Sequence, residues 1–348
     1  MFEEIVWANK EFPWLIRIFV FGVGACWGSF LNVVIYRIPL GKSVVFPGSR
    51  CSCGKPIAWF DNIPILSWFL LRGRARCCGA KFSFQYPFVE LLTGSLFLAC
   101  WWLHPDNLAV VFIGWLFLSM LICGTFIDLK HMVLPDYFTV YGAIIGVVLS
   151  FIFPQLHTQP LGLVIIDPFR GGIAAVIGML IGSATILWIA FIAETILRKE
   201  AMGFGDVLFM GCIGAFCGWK GALFAIFGGA FIGTVFVIPM MLLQRFGVSV
   251  TPGKVENDPL KLAEPEEPAE NAGSQAQEEV SQTSAAKKQT TADHPAQSAT
   301  AEEGDSTLRF GSAIPFGPWL ALGALVYYIF VRDRVDAYFL ELIQAFQL

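Results

Sequence analysis

The chain has 348 residues, of which 56% are apolar and only 14% are charged, and its mean hydropathy is +0.65. These values lie far outside the range of an ordinary soluble domain, so the composition indicates a membrane protein. The net charge of −4 argues against a nucleic-acid partner, because nucleic-acid-binding surfaces are strongly basic. We therefore expect contact with membrane lipid and no binding of nucleic acid.

Apolar runs of about 20 residues recur along the chain, and a helix of about that length crosses the hydrocarbon core of a bilayer. They predict an all-α, polytopic integral membrane protein with about eight transmembrane helices and a small cysteine-containing domain between the first two. The expected spans are 13–37, 87–104, 109–127, 137–154, 171–195, 207–219, 221–243 and 314–332.

The loop that follows the first span sets the expected orientation. Residues 39–86 contain many Lys and Arg residues but a single acid, Asp61, and short basic loops stay on the cytoplasmic side. Counting crossings from this loop places 128–136 and 196–206 on the same side of the membrane. We therefore expect these three segments to meet at the cytoplasmic face.

Composition divides the chain into five parts. Residues 252–308 are acidic and nearly devoid of large apolar side chains, so they cannot offset the entropy of ordering and are expected to form a disordered cytoplasmic loop. The five parts are the N-terminus with the first helix (1–38), a basic cysteine domain (39–86), a transmembrane core (87–243), the acidic loop (244–312) and the last helix with its tail (313–348).

Two acids at predicted membrane edges are candidates for catalysis. Asp128 follows the third predicted span, and Asp206 comes immediately before the sixth. Ionisable groups are costly to hold at a membrane, so their presence points to function. Two carboxylates that approach closely cannot both ionise, so one keeps a proton while the other can take a proton from water. Peptide hydrolysis by an aspartyl protease requires this combination.

Residues near these acids are expected to support the site. Gly203 and Gly205 precede Asp206, and their backbone freedom would admit an extended peptide close to the acid. The alternative is that these glycines only pack helices, and that Asp128 only caps or solvates a helix end. Asp136 follows a proline and is expected to cap the fourth span, which gives it a supporting role and not a catalytic one.

The basic domain contains two close cysteine pairs, Cys51 with Cys53 and Cys77 with Cys78. Four thiolates can bind a tetrahedral Zn²⁺, and so small a domain needs such a cross-link. A disulfide is disfavoured in a reducing cytoplasm. Zinc knuckles usually have two residues between paired cysteines, whereas these pairs have one and none, so free and partly buried thiols are the alternative.

Several distinctive segments occur along the chain in this order: GSFLNVVIYR (28–37), DNIP (61–64), YPFVELLT (86–93), Asp128, GFGD (203–206) and IPFGP (314–318). Together they resemble the bacterial type IV prepilin peptidases, also called type 4 leader peptidases. The resemblance covers nearly everything outside the acidic loop.

This resemblance implies a multi-pass protein of the bacterial inner membrane whose active site faces the cytoplasm. It implies that Asp128 and Asp206 form the catalytic pair. The substrates would be the N-terminal segments of prepilins or pseudopilins, from which a short basic leader is removed after a glycine. Many members also methylate the new N-terminal amine with S-adenosylmethionine, and the cysteine domain resembles the part associated with that activity.

Three features depart from the family pattern. Ala75 occupies the expected place of a third cysteine, Leu208 stands where a lysine is frequent, and the insertion at 252–308 is unusual. The first departure leaves zinc binding and methylation open. A peptidase-only enzyme of the presenilin-like Gly-x-Gly-Asp type is a second candidate. A non-enzymatic scaffold or transporter is a third, although both acids lie at membrane edges and no charged pathway crosses the spans.

Overall fold

The described part of the chain folds almost entirely into helices, with no strand and only two isolated β-bridges, Arg50 to Pro56 and Arg74 to Lys81. This confirms the predicted all-α class. The computed structural model describes residues 4, 9–51, 53–157, 162–198, 202–245 and 315–346. They fall within one compact unit, residues 1–262 with 313–348. Most of the predicted acidic loop lies outside the described residues, as does Ile314.

The helices follow the apolar runs of the sequence. Between α1 and α3, the described residues of the cysteine domain form the short helix α2 and a 3₁₀ turn at Trp59–Asn62. A π-helical segment, Tyr327–Val331, joins the last two helices. The α-helices in chain order are α1 (Pro13–Arg37), α2 (Leu66–Leu70), α3 (Gln85–Leu103), α4 (Leu108–His131), α5 (Val140–Ile152), α6 (Ile166–Leu197), α7 (Phe204–Arg245), α8 (Gly317–Val326) and α9 (Arg332–Ala345).

Five of these helices are long and apolar enough to cross a membrane: α1, α3, α4, α6 and α7. The predicted count of eight spans is not confirmed and stays a prediction. Helix α5 has only 13 residues. The predicted spans 207–219 and 221–243 both lie within α7, and the predicted last span, 314–332, covers α8 and the π segment and ends at the first residue of α9.

Helix α7 is interrupted at Gly218, where the backbone has φ 68° and ψ −179°. This region is open essentially to glycine alone, because a Cβ would collide with the backbone. A Cβ at this position would also lie 3.3 Å from Nδ1 of His157. The break separates two helical parts, which correspond to the two spans predicted from the sequence.

Aromatic packing joins α4, α7 and the π segment. The rings of Phe117 and Phe216 stack with centroids 4.8 Å apart, and Tyr328 lies 5.4 Å from Phe117. All three side chains are buried in the main apolar core. Such contacts hold the three elements in one register, which fixes the ends of α4 and α7 relative to α8.

We predict that Gly218→Ala lowers the unfolding midpoint, since an alanine in this backbone conformation costs about 1–3 kcal/mol. Thermal unfolding of the purified protein in detergent, followed by tryptophan fluorescence, measures the effect. Gly22→Ala is the matched control, because nothing lies within 4 Å of a Cβ at Gly22. An equal midpoint for the two variants would contradict the proposed constraint at Gly218.

Candidate active site

Asp128 lies in the last turn of α4 and is 6% exposed. The helix ends with Met132 in a left-handed conformation, and the Met132 N–H donates to the Asp128 carbonyl over 2.9 Å. This cap closes the helix immediately beyond the acid. The Asp128 carboxylate is buried, and its Oδ2 accepts no hydrogen bond from the described residues. A buried acceptor without a donor is costly and therefore available to a ligand.

Asp206 lies in the first turn of α7 and is 8% exposed. Its N–H donates to the carbonyl of Gly203 over 3.1 Å, which forms the turn that starts the helix. A negative charge in the first turn is favoured by the helix dipole. The sequence Gly203-Phe204-Gly205 therefore starts a helix that carries the acid at its beginning.

The two acids meet at Gly317, the first residue of α8. A Cβ at Gly317 would lie 2.5 Å from Oδ2 of Asp128 and 3.4 Å from Oδ1 of Asp206. The carboxylates of α4 and α7 thus contact one point at the start of a third helix. Only a glycine leaves room there for both acids. The segment IPFGP (314–318) contributes to the family resemblance, but the sequence alone did not predict a role for Gly317. The signal that could have indicated one is a glycine directly before a proline at the start of a helix.

The predicted supporting residues differ in their surroundings. A Cβ at Gly205 would lie 3.2 Å from Cβ of Leu134, so Gly205 permits close packing of the segment after α4. A Cβ at Gly203 would have its nearest neighbouring atom, the backbone nitrogen of Gly205, 4.0 Å away, so the space beside Gly203 is open.

Asp136 does not cap α5, and this part of the prediction was wrong. The helix begins at Val140 with Thr139 as its N-cap residue, because a turn intervenes in which the Phe138 N–H donates to the Pro135 carbonyl. Asp136 is exposed and lies before the helix.

The four cysteines of the basic domain form one cluster. The sulfur atoms of Cys51, Cys53, Cys77 and Cys78 all lie within 4.8 Å of one another. Sγ of Cys51 is 3.4 Å from Sγ of Cys78, and Sγ of Cys53 is 3.3 Å from Sγ of Cys77. These separations are too long for disulfides. Thiolates at about 2.3 Å from a tetrahedral zinc are about 3.8 Å apart, so the cluster fits this ion.

Two tight turns compensate for the irregular cysteine spacing. The Cys51 N–H donates to the Lys55 carbonyl over 2.9 Å, which folds the first pair back on itself. The Gly79 N–H donates to the carbonyl of Ala75 over 2.8 Å, which turns Cys77 and Cys78 toward the first pair. Ala75 is buried and supplies no sulfur. Cys77 and Cys78, which are consecutive in the chain, provide the second pair of thiols instead.

The thiols of the cluster differ in acidity. Burial opposes ionisation of Cys51, but hydrogen bonds from the Cys53 backbone and the neighbouring thiols outweigh it and lower the pKa of Cys51 to about 7. The hydrogen bond with Cys53 raises the pKa of Cys77 to about 12. One thiolate is therefore accessible near neutral pH, while full ionisation of the cluster requires a cation.

The structure so far defines a helical membrane protein with a paired-aspartate site and a thiol cluster. Residues 23–104 match the Bacterial Peptidase A24 N-terminal domain, and residues 115–238 match the Type IV leader peptidase family. The matched segments contain the cysteine cluster and the two aspartates respectively.

Similar proteins carry names of the same kind. A prepilin leader peptidase/N-methyltransferase of Myxococcus xanthus is 40% identical over 66% of this chain and 64% of its own length. One of Klebsiella pneumoniae with the same name is 34% identical over 60% of this chain and 89% of its own length. A type 4 prepilin-like proteins leader peptide-processing enzyme of Escherichia coli is 35% identical over 60% of this chain and 80% of its own length.

The chain belongs to the type IV leader peptidase family. It spans less than two thirds of the Myxococcus protein but most of the Klebsiella and Escherichia proteins. No solved structure matches it.

We predict that the purified protein contains about one zinc ion per chain and that chelation lowers its unfolding midpoint, since a structural metal contributes directly to folding. Metal analysis of protein prepared without a histidine tag measures the content. Cys53→Ser should lose the metal, whereas Cys26→Ser, which changes a thiol outside the cluster, should retain it. Zinc-free protein whose four cluster thiols react freely with an alkylating reagent would contradict the metal site.

Proposed function

We propose that this protein is an aspartyl endopeptidase of the bacterial inner membrane that removes the basic leader from prepilins or pseudopilins at the cytoplasmic face. Asp128 and Asp206 act as its catalytic pair, with Gly203 and Gly205 forming the approach to the acids. The observation that carries this proposal is the contact of both carboxylates with Gly317. Two buried acids from separate helices at one point are the arrangement that general acid and base catalysis of peptide hydrolysis needs.

The chemistry divides between the two carboxylates. One takes a proton from the attacking water, and the other carries a proton that it can donate to the scissile carbonyl. The unpartnered Oδ2 of Asp128 is available for such a water or carbonyl. The first turn of α8 lies beside both acids, and the partial positive charge of its N-terminus favours the shared negative charge.

The substrate assignment follows the names of the relatives, two of which are called prepilin leader peptidases and N-methyltransferases. Their names also support a second reaction, methylation of the new N-terminal amine with S-adenosylmethionine. In this proposal the cysteine domain belongs to the methyl transfer, and a zinc ion bound by Cys51, Cys53, Cys77 and Cys78 holds that domain together.

We predict that Asp128→Asn and Asp206→Asn each lower leader cleavage by about three orders of magnitude or more. Asparagine has the size of aspartate but cannot take a proton from water or share one with its partner. Incubation of each purified variant with a prepilin peptide, followed by mass spectrometry, measures the rate. The cleavage rate of the unaltered protein should have a bell-shaped dependence on pH, and the two apparent pKa values of that curve belong to the carboxylate pair and not to either residue alone.

Asp136→Asn is the matched control, because this exposed residue lies outside the carboxylate pair. It should change the rate by about twofold at most. If Asp136→Asn were inactive while Asp128→Asn cleaved normally, the wrong acid of this segment would have been assigned. Near-normal cleavage by either single variant at 128 or 206 would refute the aspartyl mechanism.

We predict that Gly317→Ala lowers the cleavage rate by about a hundredfold, since displacement of a catalytic group by about 1 Å has an effect of that size. The added methyl would lie 2.5 Å from Oδ2 of Asp128 and must push that carboxylate aside. The peptide assay measures the rate, with Gly22→Ala as a control for a methyl added in open space. A fully active Gly317→Ala variant would show that the acids do not need this contact.

A further inference from the structure

Three of the sequence segments that define the family resemblance have no role in the proposed cleavage, yet they line one cavity. They are 28–37 on α1, 61–64 in the cysteine domain and 86–93 on α3. The cavity has a volume of about 610 Å³, within the range of pockets for cofactor-sized ligands. Neither Asp128 nor Asp206 lines it, so it is distinct from the candidate peptidase site.

Part of the cavity is lined where α1 and α3 come close together. A Cβ at Gly28 would lie 2.8 Å from Cα of Glu90, so the glycine permits this approach. Asn32 lines the cavity and is only 4% exposed. Its Nδ2 donates to the carbonyl of Tyr86 over 3.1 Å, but its Oδ1 is buried with no donor among the described residues. A ligand donor would remove the cost of this orphaned acceptor.

Glu90, next to Gly28, contributes a buried carboxyl group to the same part of the lining. Its carboxylate is buried, lines the cavity and accepts the Ile65 N–H over 2.7 Å. Within the described ranges, no Lys or Arg forms an ion pair with it. A buried carboxylate without a countercharge is costly, and a cationic ligand would supply the missing charge.

The rest of the lining has a different character. Phe30, Phe60 and Trp68 line the cavity, and the guanidinium of Arg76 already lies over the ring of Phe60, 5.4 Å from its centroid. The remaining aromatic surface suits a flat heterocycle. Arg50 and Lys55 line it as well, so the cavity also offers positive charge. This pattern matches a ligand with a cationic part, a planar base and a carboxylate. A basic leader peptide fits less well, because these cations repel it.

We propose that this cavity is the binding site of S-adenosylmethionine, with Asn32 and Glu90 accepting hydrogen bonds from its α-ammonium group and the aromatic walls holding its adenine. The inference rests on the methyl transfer of the proposed function and assigns the ligands of the methyl donor. Cys51 and Cys77 also line the cavity. The thiol cluster therefore forms part of the same wall, which gives the cysteine domain a direct structural connection to this site.

Titration calorimetry with S-adenosylhomocysteine, using the full-length protein in detergent, tests the assignment without measuring activity. Asn32→Leu and Glu90→Gln should each weaken binding by about tenfold or more, since each loses one acceptor for a charged group. Thr93→Val is the matched control: this buried residue lies on α3 one turn from Glu90 but does not line the cavity. It should bind as the unaltered protein does.

The outcomes separate this assignment from the proposed function. If the unaltered protein binds the compound and both cavity variants bind it equally well, the cavity assignment is wrong while methyl transfer stands. If the unaltered protein cleaves leaders but binds none of the compound, methyl transfer fails and the assignment fails with it.

A photoreactive azidoadenosine analogue of S-adenosylmethionine, applied to the unaltered protein, decides the matter should the variants fold poorly. Labelled peptides should come from residues 26–90, and excess S-adenosylhomocysteine should abolish the labelling. Labelling confined to 115–238 would overturn the assignment. Labelling that a leader peptide prevents but S-adenosylhomocysteine does not would assign the cavity to the leader instead.

Discussion

The arrangement of the helical core depends on one constraint: two carboxyl groups must be held beside the same glycine in an apolar protein. Left to themselves, two like charges in a medium of low dielectric move apart or take up protons. Here Asp128 is fixed by the end of α4, Asp206 by the start of α7, and both press on Gly317 at the start of α8. The stacked rings of Phe117 and Phe216 hold α4 and α7 together.

The N-terminal part of the chain is built around a different buried carboxyl group. Glu90 of α3 accepts the N–H of Ile65, whose backbone has the positive φ of 63° that few branched residues adopt. This bond ties the cysteine domain to the helices beneath it. The protein therefore has two polar centres, one between α4, α7 and α8 and one between α1, α3 and the cysteine domain. Each is enclosed by helices that the other does not use.

The sequence predicted what depends on composition and on neighbouring residues. Apolar runs located the long helices, and the acids were found because charge is rare near a membrane. Prediction from the sequence failed where contacts between distant segments, or an intervening turn, determine the local structure. The cap assigned to Asp136 was wrong because the turn after Pro135 delays α5 to Val140. The contact of Gly317 with both acids and the cavity around Asn32 join segments far apart in the chain, which no local pattern reveals.

The place of Gly317 in the chain also orders events in time. The ribosome makes α4 and α7 first, and the helix that completes the contact between their acids comes only after the long acidic segment. A growing chain therefore contains both acids before the helix that carries Gly317 has been made. The contact of both acids with Gly317 can form only after the last helices are synthesised, so an unfinished chain has the two carboxyl groups without the glycine that adjoins them.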